Sequence, residues 1–275
     1  MDVTLQDLRA RTDFPAANLR VENALVTAFA DDRALLRFFG RYVDWNGWFG
    51  AGVATLAGEV GRSRRMFLDL EEEVQVCADR SIHVASYFFD AARDEFDDSA
   101  TPHRDAHRTL AQASVKGMAA TLGLLGEINE LLTVPTWLEK LGQDVLVGYG
   151  HLRPETRHNL FAAMGFHLGS EVLADEEFSL LDQGLRLARP SLVSELLQLR
   201  VPLAGANHPA YYWIGIHSGH GGGVEADHFE WAVAGVRAAL EFTPPSERGA
   251  AREAVLTGFD QFAALHRVFF ERVVA

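Results

Sequence analysis

A single cysteine in 275 residues, Cys77, rules out an internal disulfide and fits a reducing compartment. Its helical-looking apolar setting, Glu73-Val-Gln-Val-Cys77-Ala, predicts burial as a small hydrophobe rather than work as a nucleophile. Basic residues are also scarce. The 25 Lys and Arg face 38 Asp and Glu, a net charge of −13, which argues against nucleic acid or anionic membrane as the main partner. No basic segment followed by an apolar one opens the chain, so the expected location is the cytoplasm. The longest stretch free of Asp, Glu, Lys and Arg, Val201 to Val224, contains two prolines and six glycines and is no membrane span. Phosphate-binding glycine loops, a G-x-S-x-G elbow and a cysteine set for zinc or iron–sulfur ligation are all missing.

What fills the chain instead is helical pattern. Apolar residues recur at three- and four-residue intervals in Ala34, Leu35, Phe38, Phe39, Tyr42 and Val43, and again in Val255, Leu256, Phe259, Phe262 and Phe269. Sustained period-2 alternation is absent, which predicts no sheet. Thr101-Pro102 predicts the start of a helix over 102–133, closed by Pro135. Pro154 predicts another over 154–174, Pro190 separates the next, and Pro202 and Pro209 bracket a loop. Thr243-Pro244-Pro245 precedes a last helix over 247–273. With short connections and no low-complexity linker, the expectation is one all-α domain over 1–275, a bundle of about seven or more helices. It would comprise a helical preface over 1–30, a core over 34–240 and the C-terminal helix.

Three of the eleven histidines fall in His217-Ser-Gly-His220-Gly-Gly-Gly-Val-Glu225-Ala-Asp-His228. Imidazole and carboxylate suit iron, zinc or manganese. Glu225 and His228 have the i, i+3 spacing that places both on one helix face. His220 would stand about 12 Å from His228 along a straight helix, so both can bind one ion only if the backbone distorts. The glycine run makes distortion cheap. His217 competes for the same role.

A second pair, Glu73 and His83, would lie about 15 Å apart on a straight helix and needs a bend to meet. Asp79 is the local alternative partner of His83. A third acid, Glu171, sits among small and apolar residues where a charge is costly without a partner, and His167 one turn earlier could hydrogen-bond it.

These pieces, in this order, resemble the haem-oxygenase-like diiron oxidases and oxygenases, related in fold to haem oxygenase, the thiaminase-like TenA proteins and pyrroloquinoline quinone synthase. Glu73, ten residues before His83 and its apolar stripe, is similar to one family element. Met164-Gly-Phe-His-Leu-Gly-Ser-Glu171 is similar to a second, and Glu225-Ala-Asp-His228 to a third with Glu for the usual Asp. The first histidine of that third motif is out of register. His220 restores it with a one-residue insertion that a π-bulge absorbs, whereas His217 needs four. The resemblance implies a haem-oxygenase-like bundle holding two iron ions, with dioxygen as co-substrate. Glu73 and His83 would bind one iron, Glu171 would bridge, and Glu225, His228 and one of His220 or His217 would bind the other. It implies oxidation of a small organic metabolite. N-oxygenation of an amine or amino-acid-derived substrate is the first expectation, and oxidative C–C cleavage of an amino or fatty acid the alternative. An external electron donor and a homodimer are compatible with it. A metal-independent enzyme of the TenA kind and a non-catalytic helical binding protein are the rival readings. Trp45, Trp48, Phe49, Tyr87, Tyr211 and Tyr212 are candidate pocket residues.

Overall fold

A computed structural model describes residues 2–98, 101, 105–219 and 224–275, with the backbone alone at 224–227. The protein is all-α apart from one hairpin. The helices are α1 (Leu5–Arg11), α2 (Phe14–Ala28), α3 (Asp32–Asn46), α4 (Phe49–Arg62), α5 (Gln75–Ala78), α6 (Ser81–Phe96) and α7 (His107–Thr121). They continue with α8 (Ile128–Leu131), α9 (Thr136–Gly148), α10 (Arg157–Ala188), α11 (Pro190–Gln198), α12 (Tyr212–His217), α13 (Val224–Glu241) and α14 (Arg248–Arg272). Among the described residues no helix is long and apolar enough to cross a membrane.

Helix starts follow ordinary capping chemistry. The side chains of Thr4, Asp13, Asp31 and Thr156 each accept a hydrogen bond from a first-turn N–H, satisfying donors the helix cannot. The long α10 and α14 form the central pair, and their approach depends on two glycines. A Cβ on Gly165 would meet the Val255 carbonyl oxygen at 1.8 Å, and one on Gly258 would meet that of Ala162 at 1.8 Å. Backbone therefore lies against backbone at this crossing. Around the pair pack α2, α4, α9 and α13, α6 packs on α4 and α13, and α7 bridges α3 and α12. Buried apolar side chains form a connected set from Val3 to Val273, to which α1 and α2 contribute through α10 and α14.

Several expectations differ from what folds. The helix expected over 102–133 begins at His107 and stops at Thr121, because Gly123 takes a left-handed φ of +71°. Pro102 lies outside the described residues. The helix expected to end near 174 runs to Ala188, since strong helix formers continue until Pro190. The loop between Pro202 and Pro209 is a two-stranded antiparallel hairpin, β1 (Arg200–Leu203) with β2 (Ala206–Pro209), turned by Ala204 and Gly205 at positive φ. Four-residue strands are too short to reveal alternation. Cys77 is exposed rather than buried, because α5 is a single turn on the surface.

Candidate metal-binding site

Five helices deliver acids and imidazoles to one place. α6 contributes Asp94 and Glu95 near its end, and α7 contributes His107 as its first residue. α10 contributes His167 and Glu171 from its middle, α12 contributes His217 as its last residue, and α13 contributes His228. The side chains alternate as a chain of acid and base. Glu95 Oε1 lies 3.4 Å from His107 Nδ1, and Asp94 Oδ2 lies 3.6 Å from His107 Nε2 and 3.0 Å from His228 Nε2. Glu171 Oε2 then lies 3.6 Å from His228 Nδ1, and its Oε1 lies 3.2 Å from His167 Nδ1. His107, His167, His217 and His228 are all buried.

The electrostatics favour the deprotonated forms of Asp94, Glu95, His167 and His217. Burial pushes the Asp94 carboxyl up, but the His228 hydrogen bond and the charges of His107 and His228 outweigh it and hold it below the usual carboxylate range. At Glu95 burial also acts upward, and His107, His228 and His217 together hold the carboxyl down to about 2. Burial depresses His217 to about 3, aided by the charge of His107, so its ring is neutral. His167 is pushed down by burial against the pull of Glu171. His107 goes the other way, because Glu95 and Asp94 overcome its burial. Among the described residues no Lys or Arg ion-pairs with Asp94, Glu95 or Glu171, whose partners are imidazoles only.

His217 shows a geometry common among metal-ligating histidines. Its Nδ1 lies 2.7 Å from the Trp213 carbonyl, which fixes Nδ1–H as donor and leaves the lone pair on Nε2. Its ring packs edge-on to that of His107, with centroids 4.7 Å apart. Neither nitrogen of His107 makes a hydrogen bond of normal geometry although the residue is buried, and His167 Nε2 is likewise unpartnered. Such orphans call for an explanation in a native interior.

The spacing fits a metal. Donor atoms bonded to a first-row ion at about 2.0–2.2 Å stand roughly 3.0–3.6 Å from one another, which matches most of the gaps in this chain. Among the described residues, however, no group of three His, Cys, Asp or Glu side chains is set as a ready-made cage. The donors face one another in pairs, and an ion would have to part Asp94 from His228.

The expected ligands divide into three groups. Glu171, His217 and His228 stand in the cluster. His220 lies outside the described residues, and for Glu225 only the backbone, in α13, is described. Glu73 and His83 are not brought to the cluster. Glu73 is exposed before α5, and His83 is exposed at the start of α6 beside Tyr87 and Phe242. Eleven residues of straight helix carry Asp94 about 16 Å farther along than His83. Asp79, the alternative partner for His83, instead accepts hydrogen bonds from Ser81 and Arg64.

Asp94, Glu95 and His107 stand at no metal-ligand spacing in the sequence. One signal was available for two of them. On α6, Glu95 extends the buried face of Val84, Phe88 and Ala91, and on α7, His107 opens the stripe Leu110, Ala111 and Ser114. A titratable group on an apolar stripe is the anomaly to notice.

Beside the cluster lies a cavity of about 180 Å³. Glu95, His107, Glu171 and His217 form one side of it, and Phe49, Phe178 and Trp213 line the apolar remainder. Of the aromatic residues expected to line a pocket, Phe49 alone does so. Trp45 and Tyr211 are in the core. No protein-family model matches the chain, and no curated protein matches it either.

Proposed function

We propose that this protein is a non-haem dimetal oxygenase, of the haem-oxygenase-like kind, that uses dioxygen to oxidise a small organic metabolite. The observation that carries the reading is the run Glu95–His107–Asp94–His228–Glu171, in which part-buried acids meet buried imidazoles and, among the described residues, no Lys or Arg. Part-buried carboxylates without a fixed cation are a poor device for stability and a good one for holding a metal. Asp94, Glu95 and His107 would hold one ion, His217 and His228 the other, with Glu171 shared. Glu225 and His220 remain the further ligands expected from sequence. Iron so held would supply dioxygen activation.

The chain's own residues do the rest. Phe49, Phe178 and Trp213 exclude water from the cavity wall and present an apolar surface to substrate. The Trp213 carbonyl fixes the tautomer of His217, and His167 orients Glu171. N-oxygenation of an amine or amino-acid-derived substrate is the reaction we favour by family analogy, with oxidative C–C cleavage as the alternative. An external electron donor would complete turnover.

Anaerobic Fe(II) titration followed by exposure to dioxygen tests the reading. About two equivalents should bind, and an absorbance change should follow only when dioxygen enters. A metal-independent enzyme or a scaffold protein would bind none stoichiometrically.

A further inference from the structure

We propose that the cavity beside the acid–imidazole chain receives a small organic acid, with its carboxylate on Arg108 and its apolar body against Phe49, Phe178 and Trp213. As a substrate assignment this rests on the oxygenase reading, whereas the binding it asserts does not.

Among the described residues Arg108 is the one Lys or Arg that lines the cavity. Among the described residues its guanidinium is engaged in no hydrogen bond or ion pair. Asp44 feels its charge, but burial pushes that carboxyl up more strongly than Arg108 brings it down. The Arg108 side chain lies over the α3–α4 junction, with Nε 3.4 Å from where a Cβ on Gly47 would stand, and Asn46 adds an amide to the same wall. An uncommitted, forked donor at the mouth of an apolar cavity is the usual receptor for a carboxylate. Its isolation matters in a protein of net charge −13, where an anion finds repulsion over the rest of the surface.

Two acids on the cavity wall fix the orientation. Glu95 and Glu171 would repel a second carboxylate, so the acid head belongs at Arg108 and the reacting carbon or nitrogen toward His107, Glu171 and His217. Arg108 directly follows His107 on α7, and neighbouring side chains fan out from one turn of helix. At about 30 Å³ per water, the cavity volume corresponds to roughly six waters, or a molecule of about six to ten non-hydrogen atoms.

Calorimetric titration with hexanoate, hexylamine and 1-hexanol tests this, using the full chain both without metal and loaded with Fe(II) under anaerobic conditions. Hexanoate should bind at least about tenfold more tightly than the amine or the alcohol. Arg108→Gln should lose that preference and Arg108→Lys recover part of it, with thermal melting and Fe(II) stoichiometry unchanged in both. Equal binding of the three probes, no binding of hexanoate, or an unaltered preference in Arg108→Gln would overturn the proposal. The Fe(II) stoichiometry of the wild type is read separately, so a failed metal site and a failed acid site give different results.

Discussion

His228 Nε2 lies 3.0 Å from Asp94 Oδ2, across 134 positions of sequence. The contact ties the end of α6 to the first turns of α13 and closes the acid–imidazole chain that Glu171 continues. Two helices that meet on their small-residue faces thus also meet through charge, since Gly235 of α13 lets Phe88 of α6 approach.

His107 should be required for metal binding and His83 should not. His107→Ala is expected to bring Fe(II) stoichiometry from about two to about one or below, with affinity at the remaining site reduced by a factor of about 10–100. His83→Ala, at an exposed position outside the cluster, should leave both unchanged. Anaerobic titration of the two variants beside the wild type checks the pair.

In chelator, stability should depend on pH with opposite signs at two histidines. The folded value of His217 is depressed to about 3 from an ordinary 6.5. Its contribution is therefore complete above pH 6.5 and lost as the pH falls toward 3. The folded value of His107 is raised, so its contribution is complete below its unfolded value and lost as pH rises through the folded one. Thermal melting between pH 7.5 and 4 should fall less steeply on acidification in His217→Gln and more steeply in His107→Gln.

A second buried polar cluster should be costly to break and cheap to replace. Tyr42 donates a hydrogen bond to Glu177 at 3.0 Å, and His266 Nε2 lies 2.9 Å from the other oxygen of that carboxylate. His266→Leu leaves Glu177 buried opposite no base and should cost about 3–5 kcal/mol in urea unfolding. Adding Glu177→Leu should recover most of the loss.

The α10–α14 crossing should reject a methyl group. Gly165→Ala sets a Cβ into the Val255 carbonyl and should destabilise by about 1–3 kcal/mol or more. Gly249→Ala, where a Cβ in the same α14 meets open space, should be neutral or stabilising by up to about 1 kcal/mol. Chemical denaturation of both distinguishes packing from propensity.

The helical class was legible because the apolar period of α3 is strong, and Pro190 and Pro244 punctuate cleanly. The hairpin escaped notice because its strands are four residues long. At the site, Glu171 and His228 could be singled out locally, one as an acid among small residues and one within a histidine-rich run. Glu73 and His83 drew attention by spacing alone, and spacing does not register that the chain leaves the helix between them. Asp94 and Glu95 sat in a charged run that looks solvated from sequence. Only the meeting of α6 with α7 and α13 turns that run inward.

The central claim is that Asp94, Glu95, His107, Glu171, His217 and His228 together hold metal. Anomalous diffraction at the iron edge, from crystals grown anaerobically with Fe(II), tests it most directly. Two adjacent peaks are expected, one bordered by Asp94, Glu95 and His107 and the other by His217 and His228, with Glu171 between. Absence of any peak among these six residues, or a peak at Glu73 and His83 instead, would contradict it.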